Sequence, residues 1–216
     1  MEYFKKRLNI ALVTTAIMLF VNIAVWAQAK PRHHKAEPNQ SSGYAAFRQL
    51  AEEAGADFKF PKGFKEIKVP NNEDFSFDYG MTLPGHDFEI WLEMKPLARN
   101  WQSYERTKGI SGSEQANPDS LYKDVLNAYA MQLSGDSRYF TRNLTEEALQ
   151  QYNADAGKTY LINLADSPDT RHYQYALLIA VQKDHVGTII ALCLTNDKGP
   201  GFFKNVSLAR NCLRFK

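Results

Sequence analysis

The chain has 216 residues, with 26 Lys plus Arg against 24 Asp plus Glu, room for one domain or at most two small ones. Residues 1–29 hold Lys5, Lys6 and Arg7 against Glu2, so the rest carries equal numbers of both signs, which excludes the basic surplus of a nucleic-acid binder. Hydrophobic residues make up 44% and aromatics 12%, enough for a packed core, while two cysteines exclude a disulfide-rich scaffold and a four-cysteine zinc site.

Met1 to Ala29 reads as a secretory signal. Lys5-Lys6-Arg7 is its positive start, Ile10 to Trp26 its apolar run, and Ala27-Gln28-Ala29 a small-x-small cleavage site before Lys30. The alternative is an uncleaved anchor, since the run is near the lower length for crossing a bilayer. Either way the rest is expected outside the cytoplasm, periplasmic or extracellular. Residues 30–43, KPRHHKAEPNQSSG, have two prolines and no apolar periodicity, the composition of a flexible linker. Residues 44–216 are then expected to form one domain.

Tyr44, Phe47, Leu50, Ala51 and Ala54 share one helical face, and Gly55 stops the helix. Phe58 to Phe64 reads as a turn with aromatic anchors. Phe75, Phe77, Tyr79, Met81 and Leu83 alternate with small or polar residues, the period-two pattern of a strand with one buried face. Pro84-Gly85-His86-Asp87 turns the chain into a second strand, with Phe88, Ile90, Leu92 and Met94 inward and Glu89, Trp91 and Glu93 outward. Leu97 to Asn117 is polar, with two glycines, and reads as a long loop around Trp101 and Tyr104.

Pro118-Asp119 opens a helix that Gly135 stops, with Tyr122, Val125, Leu126, Tyr129 and Leu133 as its apolar stripe. Thr145 caps a short helix over 146–152. Lys158 to Leu164 reads as a strand. The apolar runs 176–181 and 189–194 predict two strands covered on both faces, joined tightly through Lys183-Asp184-His185. A last helix starts near Pro200 and carries Phe202, Val206, Ala209 and Leu213 on one face. The fold class is therefore α+β: a single, mainly antiparallel sheet flanked by helices, an α/β/α sandwich.

This element order resembles the Mog1/PsbP-like fold. The resemblance rests on the FKFPKGFKEI stretch, the FSFDYGMTL/FEIWLEM hairpin, the YKDVLNAYAMQL helix, the YALLIAV/GTIIALCLT hairpin and the closing FFKNVSLARNCLRF helix. An NTF2-like or cystatin-like cone is the rival. The resemblance implies a non-catalytic accessory or binding protein without a cofactor, whose partner is another envelope protein. The charge balance speaks against a nucleic-acid partner, and membrane contact is expected only through an uncleaved N-terminal segment.

No GxSxG nucleophile elbow is present, and Gly199-Pro200-Gly201 fails the dinucleotide pattern because Lys204 stands where its third glycine belongs. One enzymatic alternative remains, a small hydrolase or metal-dependent enzyme using His86, Asp87 and Glu89. A membrane-anchored structural protein is another. Trp91, Trp101, Tyr104 and His86 are the candidate interface residues, because large aromatics anchor protein contacts. Cys193, late in the last strand, and Cys212, late in the last helix, leave a single disulfide pairing open. Helical rise returns Cys212 roughly 15 Å from Phe202, past Cys193, and a bridge needs Cα atoms within about 7 Å.

Overall fold

The structure is a computed structural model describing residues 41–71, 76–112, 115–135 and 139–216. The expected leader, linker residues 30–40, and Phe75 lie outside the described residues. Ser41–Lys216 forms one compact unit.

Its helices are α1 (Ser42–Glu53), α2 (Ala98–Thr107), α3 (Leu121–Ser134), α4 (Glu146–Tyr152) and α5 (Pro200–Ala209). Its strands are β1 (Ala56–Phe58), β2 (Lys65–Ile67), β3 (Tyr79–Thr82), β4 (Glu89–Pro96), β5 (Tyr139–Asn143), β6 (Ala156–Asn163), β7 (Tyr175–Lys183), β8 (Gly187–Thr195) and β9 (Leu213–Phe215). Seven strands form one sheet in the order β2-β3-β4-β8-β7-β6-β5, antiparallel at every step. β1 and β9 form a separate antiparallel pair.

The large sheet is apolar on both faces, and each face has its own core. Ile189 and Cys193 of β8 meet α1 and α5 through Phe47, Ala51, Phe202 and Ala209. Ile190, Leu192 and Leu194 of the same strand meet α3 through Tyr122, Leu126, Ala130 and Leu133. That double covering is why β7 and β8 read as unbroken apolar runs. It also gives the α/β/α sandwich rather than a cone closed on one face.

The helix limits follow local chemistry. Ser41 caps α1 by accepting from the Tyr44 N–H at 3.0 Å, so the helix starts before Tyr44, inside the expected linker. Gly135 ends α3 in the left-handed region, φ 66°, which a residue without Cβ enters freely. Thr145 accepts from the Ala148 N–H at 3.3 Å to start α4, with Glu146 and Glu147 in its first turn, where the helix dipole favours acids.

Four expectations are corrected. The strand predicted over Phe75–Leu83 narrows to β3. At Asp78 the backbone N–H donates to the Leu92 carbonyl at 2.8 Å, while the carboxylate accepts the Met94 N–H at 2.8 Å. This breaks the alternation, and Phe77 packs on the α3 face while Tyr79, Met81 and Leu83 pack on the other. Second, β4 is buried on both faces, so Glu89, Trp91 and Glu93 do not point to solvent. Third, the expected loop 97–117 contains α2. Fourth, the last helix stops at Ala209. A 3-10 turn, Arg210–Cys212, leads into β9, whose buried-exposed-buried pattern matches that of β1. β5 has no counterpart among the predicted elements.

Because the chain leaves the helix at Ala209, Cys212 turns back toward the sheet instead of running past it. Cys193 and Cys212 are both free thiols and both buried. They line one cavity of about 30 Å³ together with Tyr152, Val206 and Ala209. Burial pushes the Cys212 thiol up to about 12 and the Cys193 thiol up as well, with Cys212 adding to the shift.

Trp91 is fully buried beneath α3, edge-on to Phe77 at 5.6 Å. Its Nε1 donates to Glu89 Oε2 at 2.9 Å. Trp91→Ala therefore leaves a cavity and takes one of the donors from the buried Glu89 carboxylate, which keeps Arg171. It is expected to lower unfolding stability by about 3–5 kcal/mol, measured by urea denaturation.

Candidate interaction surface around the second helix

α2 has no buried residue, yet its start is tied to the β7–β8 turn. The Leu97 N–H donates to the Val186 carbonyl at 2.9 Å, and the Trp101 N–H to the Leu97 carbonyl at 2.8 Å. Leu97 is buried, while Trp101 and Tyr104 are half-buried. These three fall at i, i+4 and i+7, one face of a helix. That spacing was the only apolar signal for α2 in a stretch otherwise polar.

Trp101 stacks on His185, with ring centroids 3.7 Å apart and planes at 24°, and lies 5.4 Å from Tyr104. His185 sits in the β7–β8 turn with φ 66°, a left-handed conformation uncommon for a residue with a Cβ. Asp119 supports it. One carboxylate oxygen accepts the His185 backbone N–H at 2.8 Å and the Gln182 amide at 3.2 Å, and the other lies 3.3 Å from His185 Nε2. Asp119 itself belongs to the 3-10 turn Pro118–Ser120, where Asn117 accepts its N–H at 2.9 Å. Gln182 is fully buried and shares a hydrogen bond with Thr188. A chain of polar contacts thus runs from the sheet interior to the Trp101 ring.

Carboxylates crowd this corner. Burial pushes Asp184 up, and the charges of Asp119 and Asp155 add to the shift. Asp155 goes the other way. Burial opposes its ionisation, but the Asp184 N–H and the Lys183 ammonium outweigh burial and hold it below the usual range. Those contacts are 2.9 Å and 3.1 Å.

Of the residues named from sequence, the structure brings together only Trp101 and Tyr104. Trp91 is no surface anchor, since α3 covers it. His86 is exposed in the β3–β4 turn, at the opposite end of β4 from α2, roughly 23 Å away by strand rise. The proposed trio His86, Asp87 and Glu89 is also taken apart. Asp87 accepts from the Asn196 backbone at 2.5 Å and its side chain at 3.1 Å. Glu89 faces the α3 side, where Arg171 Nη1 donates to both its oxygens at 2.8 and 2.9 Å. Among the described residues, no group of three or more His, Cys, Asp or Glu is placed to hold a metal ion. The sequence reading passed over Asp119 and His185 as site residues, since they are 66 positions apart and nothing local in the sequence joins them.

The chain matches no protein-family model and no curated protein. Among solved structures it is similar to the solution structure of cyanobacterial PsbP (CyanoP) from Synechocystis sp. PCC 6803. The TM-score is 0.37 and the identity 10%, over 76% of this chain and 88% of that one.

Trp101→Ala removes the ring that clamps α2 to the β7–β8 turn. Amide hydrogen exchange is expected to quicken across residues 98–107, with the β7 and β8 amides unchanged. The Asp155 contacts give a pH signature. Its folded-state pKa is depressed, so its contribution is present above the unfolded value and fades as pH falls through the folded one. Asp155→Ala should therefore lower the melting temperature at neutral pH, and the deficit should shrink in acid, below about pH 4.

Proposed function

We propose that the chain is an exported, non-catalytic accessory protein of the cell envelope, docking a partner protein through α2, with the accessible edges of the half-buried Trp101 and Tyr104 as anchors. The observation that carries the reading is a helix with no buried residue bearing a Trp–Tyr pair fixed by His185. Aromatic side chains held rigid before contact make good anchors, because little side-chain freedom is lost on binding. The acids around His185 favour a partner that brings basic groups to the rim. Export rests on the charged start, apolar run and small-x-small site of residues 1–29, with the mature chain starting at Lys30.

A photo-crosslinking residue placed at Gln102 or Arg106, both exposed on α2, tests both parts in the native cell. One discrete protein adduct is expected in the exported fraction, on a chain whose mass begins at Lys30. Lys204, exposed on α5, should give no such adduct. Adducts from Lys204 alone would place the partner on another face, and a cytoplasmic adduct retaining Met1 would overturn export.

A further inference from the structure

β5 forms one edge of the seven-stranded sheet and, among the described residues, pairs only with β6. Its hydrogen-bonding direction follows from the register. The Leu144 N–H donates to the Gly157 carbonyl at 3.0 Å, and antiparallel residues alternate between facing the neighbour and facing away. Carried back along the ladder, Arg142 and Phe140 turn their backbone groups toward β6, opposite Thr159 and Leu161. Tyr139, Thr141 and Asn143 turn theirs outward, with no strand beyond them among the described residues.

Natural edges are blunted by proline, lysine, bulges or a covering element. β5 has no proline or lysine and runs five residues in unbroken register. The opposite edge, β2, has only three residues, and the Glu66 side chain there accepts from Ser41 and Tyr79. On the face away from α3, Phe140 is 62% exposed, with the Arg142 guanidinium 5.8 Å from its ring centre.

We propose that β5 pairs antiparallel with β5 of a second copy of this chain, about a twofold axis through Thr141. The outward-facing residues dictate the register: Tyr139 opposite Asn143, and Thr141 opposite itself, exchanging about six backbone hydrogen bonds. Phe140 then lies opposite Arg142 of the second copy, and Arg142 opposite its Phe140. The cation–aromatic contact made within one strand is thus repeated across the axis, twice, because the interface is isologous. Sliding the register so that Arg142 meets Arg142 sets like charges face to face, which cross-strand pairing disfavours. A five-residue pairing is at the small end of protein interfaces, so the dimer is concentration-dependent.

Sedimentation velocity of the full chain over a concentration series, with circular dichroism as the fold control, tests this. The wild type should pass from monomer to dimer. Thr141→Pro removes an outward N–H that β6 does not use, and should leave a folded monomer. Phe140→Arg sets two Arg pairs against each other and should also be monomeric, whereas Phe140→Glu offers each Arg142 a carboxylate and should keep the dimer. A wild type monomeric at every concentration would overturn the proposal. So would a dimer that survives Phe140→Arg undiminished, since that association would run through another surface, the apolar N-terminal stretch or α2 included. Failure of the α2 reading leaves these outcomes untouched.

Discussion

Burying the indole of Trp91 in the middle of a sheet covered on both sides sets conditions that several distant segments meet. The strand that carries Trp91 places Glu89 and Glu93 on the same face, two positions to either side, and both are almost fully buried. A buried carboxylate without partners is costly, so each needs donors from elsewhere. Glu89 takes the Trp91 N–H and the Arg171 guanidinium. Glu93 takes the Tyr129 hydroxyl at 2.9 Å and the Lys95 ammonium at 2.5 Å. Arg171 also packs over the Trp91 ring, 5.7 Å from its centre, and Tyr129 comes from α3. One aromatic side chain thereby fixes where α3 lies and why the 168–173 segment folds onto β4. The left-handed conformations of Arg171 and His172, φ 54° and 60°, are held by this arrangement.

The same logic at smaller scale places α2. Its residues have too little apolar surface to bury themselves, so the helix depends on a preformed turn. The β7–β8 hairpin presents His185, Asp119 braces it, and Trp101 lies against it. The result is an element attached by one stacked contact and one backbone hydrogen bond, with its outer side left to solvent. Such attachment suits a recognition element, since the anchors are ordered while the surface around them remains accessible.

What could be read in the sequence divides along physical lines. α3, α4 and the β7–β8 hairpin were legible because their signals are local: a cap, a stop glycine, an apolar stripe, a short turn between two apolar runs. The outward reading of Trp91 failed because alternation reports two faces and does not say that both are covered. β1 and β9 were missed because three-residue strands carry no periodicity, and paired residues such as Ala56 and Phe215 stand at opposite ends of the described chain. β5 was missed because an edge with an exposed face leaves almost no apolar pattern. Within the candidate surface, Trp101 and Tyr104 were visible as aromatics in a polar stretch. Asp119 and His185 were not, since only the fold joins them.

The β1–β9 pair has a consequence for the order of assembly. β1 lies near the start of the described chain, and among the described residues its only strand partner is β9 at Leu213–Phe215. The Lys216 N–H donates to the Gly55 carbonyl at 2.9 Å, and Asn153 of the α4 cap donates to the Lys216 carbonyl at 2.7 Å. During synthesis, Ala56 and Phe58 therefore wait for their strand partner until residue 215 has emerged. Closing so long a loop comes late, because its entropy must be overcome before its contacts form. A nascent chain short of Leu213 leaves β1 unpaired, while α1 can already pack on the large sheet through Phe47 and Tyr79. The last strand thus acts as a latch on the β1 end of the unit.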